Sequence, residues 1–136
     1  MPARVLPADL AELYAQAMLA ITRADHHVSD EEGHQLQAKI DERSDRQIDF
    51  ADLLLADPLQ PAALAALVDG AQSPFRASGL HAGELAQILV SDAVEVLLAK
   101  GYIADSEAGA VYRFAMALGC TREQVRAMSR FLPAFV

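Results

Sequence analysis

A short pattern occurs twice in this chain, at residues 24–32 and again at residues 99–107. In both copies an amphipathic run ends at a small residue, a polar pair makes a corner, a β-branched residue follows, and a glutamate opens the next helix. The β-branched residues are Val28 and Ile103, and both are expected to turn inward. The repetition predicts two related helix-turn-helix halves, at about residues 8–72 and 80–132, within one domain that covers residues 1–136.

Apolar residues recur at three- and four-residue steps along most of the chain, which is typical of helices that pack one face inward. Nothing alternates with period two for long enough to be a strand. The fold class is therefore all-α, with about seven helices in one compact bundle. The helices are expected at about residues 8–24, 30–43, 48–55, 61–70, 82–99, 104–118 and 122–132, and the loop-like segment 72–79 divides the halves.

Local signals mark the starts and ends of these helices. Ser29 with Glu32, and Thr121 with Gln124, have the spacing of a capping box, in which side chain and backbone of the first turn exchange hydrogen bonds. Glu107 takes the part of Glu32 in the second copy. Two further residues have structural roles that follow from turn chemistry. Asp25 can accept backbone N–H bonds at the first corner, and Gly101 suits a left-handed conformation at the second corner.

The size and net charge of the chain limit the functions that it can have. The 136 residues carry a net charge of −8, which argues against a nucleic-acid partner because phosphate binding needs clustered Lys and Arg. No apolar run is long enough for membrane insertion. The lone Cys120 fits a reducing compartment, so a cytoplasmic location is expected. The acidic band at residues 41–57 is read either as a solvated face or as a docking surface, for a basic partner protein or for head-to-tail self-association in a homo-oligomer.

The two corners resemble the TerB-like family, the all-helical domain of tellurite-resistance proteins that also precedes some membrane-anchored J-domain co-chaperones. The family's mark is an Ala-Asp-Gly corner, a β-branched residue and a glutamate, carried in two halves. The first corner has His26 where glycine is usual, and the second has Lys100 where aspartate is usual. The resemblance implies a non-enzymatic protein-interaction module in a bacterial stress response, with the acidic corner near Asp25 as its functional surface.

A competing reading is a metal-binding or metal-sensing module. Imidazoles and carboxylates are concentrated in the first corner, and Asp30 and His34 lie four residues apart on one helix face. Such groups can hold a divalent metal ion. The alternative is a capped helix start with solvated histidines. The residues of the metal hypothesis are Asp25, His27, Asp30, Glu31 and His34.

No catalytic residues are expected, because no pattern places a nucleophile beside an activating base. Asp25 and Glu32 could form an acid/base pair, but the cap and the corner already account for both. Four large apolar residues close the chain. Phe131 and Leu132 are expected to complete the core, whereas Phe135 and Val136 are left open between core and interface.

Overall fold

The computed structural model describes residues 5–25, 28–45, 47–69 and 82–133. These residues form seven α-helices and no strand, so the expected all-α bundle is confirmed. A single 3₁₀ turn, Leu98–Lys100, extends the fifth helix. The helices are α1 Ala8–Thr22, α2 Asp30–Arg43, α3 Phe50–Leu53, α4 Pro61–Asp69, α5 Ala82–Leu97, α6 Asp105–Ala117 and α7 Arg122–Met128.

Helix α1 is the centre of the bundle. It packs against α2, α3, α5 and α6, and ten of its fifteen residues are buried. The sequence predicts one apolar stripe, and the structure adds Ala15, Met18 and Leu19 on other faces. A helix that is apolar nearly all round has to be surrounded by other elements to remove that surface from water. The first half and the second half therefore share one core.

The helices end slightly earlier than the periodicity indicates. Helix α1 stops at Thr22, whose hydroxyl donates to the Met18 carbonyl oxygen at 2.7 Å. Such a bond competes with the regular backbone ladder and is common where helices bend or end. Helix α5 tightens into its 3₁₀ turn before Gly101, which has a positive φ of 98°. That conformation costs glycine nothing and any other residue a penalty, which accounts for the glycine at this corner.

The segment between α2 and α4 departs most from expectation. The sequence predicts a helix at about residues 48–55 with Leu53, Leu54 and Leu55 among its apolar positions. Helix α3 is only four residues long, and two of these leucines are largely outward: Leu54 is 42% exposed and Leu55 91% exposed. A helix of one turn offers one inward side, so consecutive leucines cannot all reach the core. The expected loop at residues 72–79 and the end of α4 near Gly70 lie outside the described residues.

At the end of the chain one of the two core predictions is wrong. Leu132 is buried, but Phe131 is 50% exposed. Residues 130–132 form a turn in which the Phe131 N–H is bonded to the Ser129 hydroxyl oxygen, and consecutive side chains in such a turn point in different directions. The exposed ring lies under the Arg130 guanidinium, 5.0 Å from its centroid. Phe135 and Val136 lie outside the described residues.

Candidate functional site: a buried corner cluster beside an arginine groove

The two corners of the repeat have the same local geometry at the start of the following helix. Ser29 precedes α2 with φ −70° and ψ 163°, and Ala104 precedes α6 with φ −70° and ψ 153°. In each case the glutamate three residues on accepts from the backbone N–H of this residue, Glu32 at 3.2 Å and Glu107 at 2.9 Å. Only Ser29 can return the bond through a side chain, and its hydroxyl accepts from the Glu32 N–H at 3.1 Å.

Both glutamates reach the same ammonium group. The Lys100 Nζ lies 3.3 Å from Glu32 Oε2 and also donates to Glu107 Oε1. The two glutamates are fully buried, and the lysine side chain is 12% exposed. We call Glu32, Lys100 and Glu107 the corner cluster. Because one carboxylate belongs to each copy of the repeat, the lysine ties the two corners together.

The corner cluster has more negative charge than positive charge. It places two carboxyl groups against one ammonium, and Glu107 Oε2 is buried without a hydrogen-bond partner. Burial raises the pKa of Glu107 above its ordinary value, and the negative charge of Asp25 raises it further, against the opposing effects of Lys100 and the Ala104 N–H. Burial alone would lower the pKa of Lys100, but its bonds to Glu107 and Glu32 outweigh that effect and raise it.

Lys100 has a role that the sequence did not disclose. Its position corresponds to that of Asp25 in the first copy. From the sequence alone, the only visible consequence of a lysine here is that the second corner lacks the carboxylate that the first corner has. In the structure it supplies the counter-charge for both buried glutamates. The sequence contains one indication of this role, because Lys100 is the single Lys or Arg within residues 24–32 and 99–107 that could balance the carboxylates of the two corners.

A second buried polar group joins α1, α2 and α5. The Tyr14 hydroxyl donates to Asp92 Oδ2 at 2.6 Å, and Arg43 donates to both Asp92 oxygens, from Nε at 2.8 Å and from Nη2 at 3.1 Å. Asp92 is 3% exposed. We call these three residues the crossing network. Sequence analysis missed it, although a lone aspartate in the apolar stretch 85–94 is itself a signal for a buried partner.

An open groove lies beside the first corner, with a volume of about 650 Å³. Its walls come from the end of α1, the first corner, residues 54–61 and helix α6. The floor is apolar and includes Ala20, Val28, Leu59 and Phe114, while the charged side chains among its described lining residues are Arg23 and Arg113. We call it the arginine groove.

The groove accounts for a difference between the two β-branched residues. Both are half-buried, but Ile103 packs against the core, as expected, whereas Val28 lines the groove. Arg23 spans the same space, and its Nη2 donates to the Ala56 carbonyl oxygen at 3.2 Å. Its Nε is buried and has no partner.

The described residues of the metal hypothesis do not come together as a set of metal ligands. Asp30, Glu31 and His34 are exposed on α2, and Asp25 is half-buried. Within residues 5–25, 28–45, 47–69 and 82–133, no three His, Cys, Asp or Glu side chains are placed to hold a metal ion. His27 lies outside the described residues, as does His26. The metal site therefore stays a prediction.

Several side chains that could act in catalysis are already engaged or shielded. Glu32 is fully buried and bonded to Lys100, so it is not available as one half of an accessible acid/base pair with Asp25. The Thr121 N–H donates to Gln124 Oε1 at 2.8 Å, and the Thr121 hydroxyl oxygen accepts from the Gln124 N–H at 3.1 Å. Burial raises the pKa of the Cys120 thiol, which keeps it in its less nucleophilic form.

Comparison of the chain with family models, curated proteins and solved structures gives no match. The resemblance to TerB-like domains therefore rests on the residues of the two corners.

Proposed function

We propose that this chain is a non-enzymatic, TerB-like helical domain that acts by binding a protein partner, in a stress response of the tellurite-resistance kind. The family resemblance supplies the biological setting. The observation that carries the binding role is the arginine groove, a concave apolar surface of about 650 Å³ that is open to solvent beside the first corner. Pockets of this size are common where proteins bind ligands or the anchoring side chains of partners.

An exposed leucine in the groove supports a macromolecular partner. Leu54 lines the groove and is 42% exposed. Exposed apolar surface of this kind often marks a protein interface. The corner cluster is a poor candidate for the binding surface, because its two glutamates are fully buried. Partner binding is therefore proposed at the groove next to the acidic corner.

The chemistry of the groove lining supports a non-enzymatic role. Its described residues are apolar except for Gln60 and the two arginines. A guanidinium stays protonated at all accessible pH values, and an amide neither gives nor takes a proton. General acid–base or nucleophilic catalysis needs a group that can exchange a proton or attack. This lining is suited to binding and orientation.

A photo-crosslinking amino acid placed at Leu54 tests the proposal. We expect it to capture one defined protein in the native cells, because this side chain is exposed at the groove. The matched control carries the same crosslinker at Gln35, an exposed position on α2 that is not part of the groove. Leu54→Glu should abolish co-purification of the captured protein, whereas Leu55→Glu should retain it. Identical products from both positions, or none from Leu54, would overturn the proposal.

A further inference from the structure

We infer that the arginine groove takes an acidic segment of the partner, with apolar side chains on its floor and a carboxylate held by Arg23 and Arg113. This inference rests on the proposed function and adds the chemistry of the partner. It departs from the net charge of the chain, which would favour a basic partner.

The first argument is the local sign of the charge. The chain carries a net charge of −8, yet among the described residues that line the groove the charged side chains are both arginines. A concave surface with low-dielectric walls concentrates the field of the charges that line it. An acidic segment is therefore repelled by much of the molecule and attracted at this groove, which makes its docking position specific.

The second argument is the state of Arg23. Its Nη2 bond to the Ala56 carbonyl oxygen holds the guanidinium between the first corner and residues 54–61. Its Nε is buried and lacks a partner, which is unfavourable for a polar donor, and a negative charge held close to the guanidinium would offset part of that cost. The Nη N–H groups of the guanidinium can donate to a bound Asp or Glu carboxylate. Arg113, exposed on α6, adds a second positive charge to the lining of the groove.

The third argument is the shape of the apolar floor. Three alanines, Ala20, Ala24 and Ala110, line the groove together with Leu59 and Phe114, and their small side chains fill little of its volume. The remaining space suits large apolar side chains of a partner, which would remove the floor from water. A segment that alternates such anchors with acidic residues complements both the floor and the arginines.

Three amphipathic peptides that share the same apolar residues and carry Glu, Gln or Lys at the remaining positions provide the probes. Binding to the full chain is measured by fluorescence anisotropy, and the site by amide chemical shifts. We expect the Glu peptide to bind tightest and to shift groove residues. Arg113→Ala should weaken it by about tenfold, and Arg113→Glu should transfer the preference to the Lys peptide. Arg126→Ala removes the same charge from an exposed site on α7 and should leave binding unchanged.

Several outcomes would overturn the inference. The Lys peptide could bind tightest to the unmodified chain, as the net charge alone predicts. The Arg126→Ala variant could lose as much affinity as Arg113→Ala. Decanoate could bind the groove as tightly as the Glu peptide, which would assign it to a small amphipathic carboxylate. If crosslinking at Leu54 still captures a defined protein, the proposed function stands and only the partner chemistry is wrong.

Discussion

The corner cluster and the crossing network are both buried groups of charged side chains that join distant parts of the chain, but they balance their charges differently. In the crossing network one carboxylate, Asp92, accepts from a guanidinium and a phenol. In the corner cluster two carboxyl groups share one ammonium, and one oxygen of Glu107 has no partner. The two groups therefore differ in the ratio of carboxyl groups to positively charged groups more than in their burial.

This difference decides which group responds to pH. Burial and the charge of Asp92 raise the pKa of Tyr14 far above its ordinary range, so the phenol stays protonated and keeps donating. The bond to Asp92 likewise raises the pKa of Arg43. The crossing network is thus a fixed brace between α1, α2 and α5. The corner cluster can relieve its excess negative charge by protonating Glu107, whose pKa burial raises.

The largest effect is expected from breaking the crossing network. Asp92→Asn removes the carboxylate that accepts both bonds from Arg43, whose side chain is only 12% exposed. We expect the free energy of unfolding to fall by about 4 kcal/mol, as for other broken buried pairs. Tyr14→Phe, which removes a single hydrogen bond to the charged Asp92, should cost about 2 kcal/mol. Urea unfolding followed by circular dichroism measures both, and equal losses would contradict the ranking.

Removing the ammonium of the corner cluster is the matching experiment. Lys100→Met leaves two buried glutamates with no counter-charge, and we expect a loss of about 3 kcal/mol at neutral pH. The loss should shrink as the pH is lowered toward 5, because protonation of Glu107 removes one of the unmatched charges. Urea unfolding at both pH values measures the change. A loss that does not vary with pH would show that Glu107 does not take up a proton.

Glu107→Gln should have a much smaller effect than Asp92→Asn, although both exchange a buried carboxylate for an amide. The glutamine oxygen can still accept from Lys100 and from the Ala104 N–H, and one ammonium then faces one carboxylate. We expect the free energy of unfolding at neutral pH to change by no more than about 1 kcal/mol. A loss as large as that of Asp92→Asn would show that the corner cluster has no surplus charge.

The same variant gives the sign of the pH dependence. The folded-state pKa of Glu107 is raised, so between the ordinary value of 4.5 and the raised value the folded state binds more protons than the unfolded state. The stability of the unmodified chain relative to Glu107→Gln should therefore fall as the pH rises through this window. Chemical unfolding in a pH series measures the difference, and the opposite slope would contradict the assignment.

The smallest effects compare the two helix starts. Ser29 returns a hydrogen bond to the Glu32 N–H, and Ala104 in the same backbone conformation cannot do so for Glu107. Ser29→Ala should lower the free energy of unfolding by about 1 kcal/mol, and Ala104→Ser should raise it by a similar amount. Thermal and urea unfolding measure the two changes. A destabilising Ala104→Ser would show that the second corner is not equivalent to the first.

The parts of the fold that depend on local sequence could be predicted. Helix periodicity located the seven helices of the described residues, and the spacing of Ser29 and Glu32 pointed to the cap, because these interactions join residues a few positions apart. The corner cluster, the crossing network and the groove depend on which helices become neighbours, and periodicity carries no such information. The errors at Leu54, Leu55 and Phe131 have a related cause, since a turn or a one-turn helix gives no face on which every apolar residue can be buried.

The central claim is that the two corners meet around one lysine, Lys100, which faces two carboxyl groups. An NMR titration of the Glu107 side-chain carboxyl carbon tests this claim most directly. We predict a midpoint above the ordinary value of 4.5, rising further in Lys100→Met and falling in Glu32→Gln. A midpoint at or below 4.5 that neither substitution moves would contradict it.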